Sequence, residues 1–211
     1  MMRSLQIYFN YFLIIATISG VFGACEKKST TPTLPPAAKS SGTPAPDVTD
    51  FRTVWPELKN KLTSANAALR DELVDPAIGL YLFDNPGVAE IVRKLKGLSE
   101  VPGGLPSFAG CELRDARKLP TFSCDTEKWS EEGCLLVEKP ALRLAKTAEN
   151  QIKFMEDREL TDEDKKHLGE LGRIERLVTY AIFFNERSYF FGFVDGTWRL
   201  IAVDAVTPCS A

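Results

Sequence analysis

Few residues in this chain have the types and spacing that chemistry needs. The single histidine, His167, sits among Asp162, Glu163, Asp164, Lys165 and Lys166. One histidine excludes H-E-x-x-H and every multi-histidine metal site. The Asp162-Glu163-Asp164 run lacks the alternating ligand spacing of a calcium loop and reads instead as acid favouring a helix N-terminus. No G-x-S-x-G, S-x-x-K, Walker A or G-x-G-x-x-G occurs. Two groups remain. The first is Tyr180, Tyr189, Trp198 and Asp204, whose polar tips on an apolar wall would line a small pocket with Asp204 as the base. The same four also read as ordinary core, with Asp204 paired to Arg187. The second group is the five cysteines, Cys25, Cys111, Cys124, Cys134 and Cys209.

The first group needs a sheet to hold it. Leu177 to Phe184, Ser188 to Val194 and Thr197 to Val203 are β-branched and aromatic runs that read as three strands. Asp195-Gly196 between the last two is a strong two-residue hairpin turn. It sets Phe193 opposite Trp198, Phe191 opposite Leu200 and Tyr189 opposite Ala202. A second turn at Asn185-Glu186 adds Val178, Tyr180 and Ile182 to that face. The same register places Arg187 opposite Asp204 as a cross-strand ion pair. Phe190, Ile201 and Val203 fall on the other face beside Thr197 and Arg199, which makes that face partly wet.

Helical patterns precede this meander. Phe51, Val54, Trp55, Leu58, Leu62 and Leu69 follow a 3.6-residue stripe with Pro56 inside it, and Ser64 is placed to cap a second short helix. Leu80 to Phe83 reads as a strand. Asn85-Pro86 followed by Gly97 brackets a helix carrying Val88, Ile91, Val92 and Leu95. Residues 98–133 are rich in glycine, proline and cysteine and read as loop. Pro140 opens a helix bearing Ala141, Ala145, Ala148, Ile152 and Met155. Thr161 and Asp164 form a capping box for the next, with Leu168, Leu171 and Ile174 inward. The fold class is α+β: N-terminal helices packed on one side of a curved antiparallel sheet that ends in a three-stranded meander.

The N-terminus carries different information. Arg3, the apolar run from Ile7 to Val21, and the small residues Gly23-Ala24 before Cys25 fill the three parts of a secretory signal. Ser29 to Pro46 then mixes Pro32, Pro35, Pro36, Pro44 and Pro46 with serine and threonine, too little apolar content to offset its own ordering entropy. As a flexible coil it would reach roughly 25 Å. The expected organisation is a signal peptide over 1–24, a tether over 25–46 and one domain over 47–211. The whole chain has net charge −3, which leaves the domain near −6 once Arg3 and the tether's Lys27, Lys28, Lys39 and Glu26 are set aside. That balance gives no electrostatic reason to bind nucleic acid.

With Cys25 assigned to the N-terminal signal, four cysteines remain. An even number in an exported chain reads as two disulfides with three possible connectivities. Cys209 lies just beyond the last strand, which favours Cys124–Cys209 with Cys111–Cys134. Neither C-x-x-C nor a His/Cys cluster is present, so no metal or other cofactor is expected.

Val21 to Cys25 resembles the lipobox of bacterial lipoproteins, with Phe22 where a leucine is usual. The resemblance implies that Cys25 is lipidated and becomes the mature N-terminus, holding the protein at the cell envelope. A diacylglyceryl thioether plus an N-acyl chain would meet the two-signal requirement for stable anchoring. Inner and outer membrane are not distinguished. The helix-first order and the Asp195-Gly196-Thr197-Trp198-Arg199-Leu200 hairpin resemble NTF2-like (cystatin-like) domains. The stretch from Pro120 to Asp125, through Trp129 and Gly133, to Ile174-Glu175 and Cys209-Ser210-Ala211 is similar to uncharacterised envelope lipoproteins. NTF2-like folds host enzymes and binding proteins alike, so the likeness implies a fold and a compartment only.

Two functions follow as expectations. One is a non-enzymatic, membrane-tethered module that binds an envelope protein, a glycan or a small ligand. The other is a small NTF2-like envelope enzyme with Asp204 or another buried carboxylate as general base. The second requires a concave cavity of a few hundred Å³ with that carboxylate inside and its pKa displaced.

Overall fold

A computed structural model describes residues 50–86 and 89–209. These fall in one of the two units into which the chain divides, Pro44–Ala211. Cys25, the signal segment, the tether and Val88 lie outside the described residues.

Helix α1 (Phe51–Thr63) starts where the Asp50 carboxylate accepts the Arg52 N–H at 3.1 Å and the Thr53 hydroxyl at 2.7 Å. That satisfies donors a helix start otherwise leaves unpaired. Pro56 stands inside the helix without ending it, and Phe51, Trp55, Leu58 and Leu62 face inward at three- and four-residue steps. Helix α2 (Ala67–Asp71) is capped by Asn66, not Ser64: the Asn66 Oδ1 accepts the Ala68 N–H at 3.0 Å.

Nine strands follow among the described residues: β1 (Leu80–Asp84), β2 (Ile91–Leu95), β3 (Arg114–Ala116), β4 (Phe122–Ser123), β5 (Lys128–Trp129), β6 (Leu135–Glu138), β7 (Val178–Phe184), β8 (Arg187–Val194) and β9 (Thr197–Asp204). Seven of them form one sheet in the order β2-β1-β9-β8-β7-β6-β3, and β4 and β5 form a separate hairpin. Most pairings are antiparallel; β1 beside β9 and β3 beside β6 are parallel. The expected meander β7-β8-β9 is therefore the middle of a wider sheet, with β9 flanked by β8 and β1.

The helix expected between Asn85-Pro86 and Gly97 is not formed over Ile91–Leu95. Residues Ile91–Leu95 are strand β2, paired residue for residue with β1 from Leu80↔Leu95 to Asp84↔Ile91. A short apolar run does not distinguish strand from helix by periodicity alone, and pairing with β1 decided it. The Pro140 helix likewise begins later. Helix α3 spans Leu144–Asn150 and continues as a single π-helical turn, Gln151–Met155. The Ala145 N–H at its start donates to Glu175 Oε1 at 2.9 Å, so the end of helix α4 (Asp162–Glu175) supplies the cap that α3 lacks. The capping box of α4 is present, with the Asp164 N–H on Thr161 Oγ1 at 3.2 Å and the Thr161 N–H on Asp164 Oδ2 at 2.8 Å.

Both faces of the sheet are covered, where sequence suggested one covered and one partly wet. Helix α1 and the 3-10 turns Leu98–Glu100 and Phe108–Gly110 pack on Leu82, Ile182, Tyr189, Phe191, Trp198 and Leu200. On the opposite face α3 and α4 bring Leu144, Ala148 and Leu171 against Tyr81, Phe83, Ala181, Phe190 and Ala202. Phe51 centres the first layer, with ring centroids 5.0 Å from Tyr180, 5.2 Å from Phe191 and 4.9 Å from Trp198.

Two irregularities set which residue faces which layer. Both turns are as expected, with Asn185, Glu186, Asp195 and Gly196 all at positive φ, the geometry of two-residue hairpins whose twist matches their strands. Between Phe190↔Ala202 and Phe191↔Leu200, however, β9 carries one extra residue, Ile201. Tyr189 therefore faces Val203, not Ala202, and Asp204 faces Ser188, not Arg187. A second bulge at Thr179 moves Val178 off the Tyr180 and Ile182 face into the opposite layer. An inserted residue in a strand swaps the sides of everything beyond it.

Two disulfides join Cys111 to Cys134, with Cα atoms 5.0 Å apart, and Cys124 to Cys209, at 5.8 Å. This is the pairing that the position of Cys209 favoured. The first bond is buried within the α1 layer. The second fastens the β4–β5 hairpin to the chain beyond β9. Two such bonds belong to a domain outside the reducing cytoplasm. Among the described residues no helix is long and apolar enough to cross a membrane.

Candidate functional site

The four residues grouped by sequence are not brought together. Tyr180, Tyr189 and Trp198 belong to the α1 layer, with Tyr189 fully buried and Trp198 nearly so. Burial pushes the Tyr189 phenol up to about 12, against the pull of the Arg187 charge. Tyr189 and Trp198 are core, and Tyr180 is partly buried against them. Arg187 donates to the Gly104 carbonyl at 2.8 Å and is not the cross-strand partner of Asp204.

Asp204 points the other way, into a cleft of about 350 Å³ on the α3–α4 face. Its floor is the sheet: Phe83 of β1, Ser188 and Phe190 of β8, and Asp204 itself. The segment Leu119–Phe122 with Trp129 of β5, the segment Ala141–Arg143, Glu90 and Glu186 also line it. Val206 and Pro208 close the end where the chain leaves β9. The size lies at the small end of the range for small-molecule sites.

Local bonds fix each wall. Trp129 packs on Phe122 at 5.3 Å between centroids and on Phe183 of β7 at 4.7 Å, which seats the β4–β5 hairpin on the sheet. The Cys124–Cys209 bond ties the same hairpin to the tail. The tail is held in turn by Asn85, whose Nδ2 donates to the Thr207 carbonyl at 2.9 Å while its Oδ1 accepts the Thr207 N–H at 2.8 Å. The Ala205 N–H donates to the Phe83 carbonyl at 3.0 Å, continuing the β1–β9 ladder. Arg143 is the residue immediately before α3, and its guanidinium lies 3.6 Å from Glu90 Oε2. The Thr147 hydroxyl donates to Glu90 Oε1 at 2.8 Å.

Asp204 is the electrostatically distinctive group. Burial raises its carboxyl above the ordinary aspartate range, because removing a carboxylate from water disfavours its charge. The neighbouring Glu90 charge adds to the rise, while the Val206 N–H and the Arg143 charge oppose it. The Val206 N–H donates to Asp204 Oδ1 at 3.1 Å. A carboxyl so placed exchanges a proton closer to neutral pH than an exposed aspartate does. Among the described residues no three His, Cys, Asp or Glu side chains stand close enough to hold a metal ion together.

Sequence reasoning singled out Asp204 and missed its companions. Glu90 and Arg143 come from segments read as helix, and their meeting depends on β2 being a strand and α3 starting late. Ser188 and Phe190 carried a signal, since they alternate with Tyr189 along β8, but the bulge at Ile201 was needed to put Asp204 on their side. No family model matches the chain, and no curated protein or solved structure is significantly similar to it.

Proposed function

We propose that this chain is a lipid-anchored envelope lipoprotein whose domain binds a small ligand in the cleft floored by Ser188, Phe190 and Asp204. The observation that carries the binding reading is the cleft itself. It is walled by aromatic side chains, contains a few polar groups, and is pinned by a disulfide. Such concave, mainly apolar sites with a few placed polar groups are the usual form of small-molecule sites. The anchor rests on the lipobox resemblance at Val21 to Cys25 and on the proline-rich tether after it. The two disulfides support an oxidising compartment. The NTF2-like likeness rests on the helix-first order and on the Asp195-Gly196 hairpin closing a curved sheet.

Screening the full chain with a fragment library by ligand-observed NMR tests the binding reading. Hits should compete with one another and be lost on Trp129→Ala, which removes a partly exposed side chain from the cleft lining, with the variant's fold checked by its NMR spectrum. Hits indifferent to that substitution would place binding elsewhere and remove the reading. For the anchor, palmitate should label the native chain and not Cys25→Ser; an unlabelled native chain would exclude lipidation.

A second reading, a small enzyme with Asp204 as general base, is favoured by one observation: its raised carboxyl sits inside the cavity. Asp204→Asn should then abolish turnover while the domain stays folded. Loss of activity that merely tracks loss of stability would return Asp204 to a structural role.

A further inference from the structure

We infer that the ligand of this cleft is an organic cation, an amine or quaternary ammonium group carried on a small aromatic or aliphatic body. The inference rests on the reading of the cleft as a binding site and names the class of molecule it takes.

The first argument is charge. Three carboxylates line the cleft, Asp204, Glu90 and Glu186, against the single guanidinium of Arg143. Arg143 is already engaged, in an ion pair with Glu90 at 3.6 Å. Asp204 receives the Val206 N–H on one oxygen, and none of the ion pairs among the described residues includes it. A ligand anion entering here would meet a net negative lining, three carboxylates against one guanidinium that is already paired. An apolar ligand would desolvate Asp204 further and return nothing to it. A cation supplies the missing counter-charge, and a buried carboxylate gains more from it than an exposed one would.

The second argument is the wall. Phe83, Phe122, Trp129 and Phe190 line the same space as Asp204. Aromatic faces attract cations through the ring quadrupole, and rings combined with carboxylates are the arrangement that recognises ammonium groups. The hairpin that carries Phe122 and Trp129 is held by Cys124–Cys209 and by the Trp129–Phe183 contact at 4.7 Å. These rings are therefore fixed before a ligand arrives, which lowers the ordering cost of binding.

The probes that separate the three ligand classes are benzyltrimethylammonium, benzyl alcohol and benzoate, titrated calorimetrically into the full chain. They share a ring and differ in charge, and the first keeps its charge at every pH. The cation should bind at least about tenfold tighter than the alcohol at pH 7.5, a difference within reach of a desolvated cation–π contact. Benzoate should bind weakest. Lowering the pH should weaken the cation selectively as Asp204, which shares the cleft with Glu90, Glu186 and Arg143, takes up its proton. Asp204→Asn keeps the acceptor for the Val206 N–H, and it should abolish the preference for the cation over the alcohol at pH 7.5. If that variant does not fold, the pH series on the unaltered chain tests the same dependence on the carboxylate. Equal affinity for cation and alcohol, or a preference that survives both Asp204→Asn and acidification, overturns the inference and leaves the cleft a site for a neutral ligand. Failure of all three probes to bind overturns the binding reading along with it.

Discussion

Asp204 lies directly across from Ser188 on the neighbouring strand, and this pairing puts its carboxyl in the cleft. The cause is the extra residue at Ile201, which shifts β9 by one place against β8. Without it Asp204 would stand opposite Arg187, as the turn alone dictates. One inserted residue therefore converts a surface ion pair into a partly buried acid that shares a cleft with Phe83, Phe122, Trp129 and Phe190.

That placement makes stability depend on pH in a known direction. The folded-state pKa of Asp204 is raised above its ordinary value of 3.8, so the folded state holds the proton more tightly than the unfolded chain. Stability from this group is complete below about pH 4 and is lost as pH rises through the raised value. Asp204→Asn removes the titration. Its melting temperature relative to the native chain should rise between pH 4 and pH 7, measured by thermal denaturation at both. A difference that is flat or falls across that interval would show that Asp204 is not desolvated.

Breaking the second disulfide should loosen the cleft. Cys124 and Cys209 are 85 residues apart in sequence, and closing so long a loop is worth up to about 4.5 kcal/mol in the chain-entropy description. The double variant Cys124→Ser, Cys209→Ser should lower stability to urea by an amount of that order. Hydrogen exchange should show the largest loss of protection in the β4–β5 hairpin and the tail beyond Asp204. Unchanged exchange in the hairpin would mean that the Trp129–Phe183 contact holds it alone.

Gly192 should tolerate no side chain. A Cβ built there would lie 2.5 Å from the Leu177 carbonyl oxygen and 3.4 Å from Ile201 Cγ1. The backbone crosses closely here because the Thr179 bulge sets Val178 opposite Gly192. Gly192→Ala should destabilise the domain by about 1–3 kcal/mol, as overpacking does, in chemical denaturation. A neutral result would mean that β7 shifts freely at its start.

Phe51 is the anchor of the opposite layer. It is fully buried and touches Trp55, Tyr180, Phe191 and Trp198 by ring contact. Phe51→Ala should cost about 3–5 kcal/mol through lost burial and the cavity left behind. Because the cleft lies on the other face of the sheet, affinity for a cleft ligand should change little under conditions where the variant remains folded. Titration of the folded variant checks this.

Local chemistry made much of the chain legible without coordinates. Asp195-Gly196 fixes its hairpin because both positions take the positive φ that such a turn needs. The Thr161–Asp164 capping box and the inward stripe of α1 are likewise written in neighbouring residues. The position of Cys209 after β9 favoured one of the three possible cysteine pairings, and the folded chain shows that one. Sequence by itself determined the hairpin, the capping box, the α1 stripe, the mixed α+β class and the isolation of Asp204 as a chemically interesting acid. It did not determine what surrounds that acid. The strand at Ile91–Leu95, the bulges at Thr179 and Ile201, and the meeting of Glu90, Arg143, Trp129 and Phe190 around Asp204 depend on partners far apart in the chain. A strand's register and the side its residues face are settled by the strands it pairs with, and only the folded sheet supplies those.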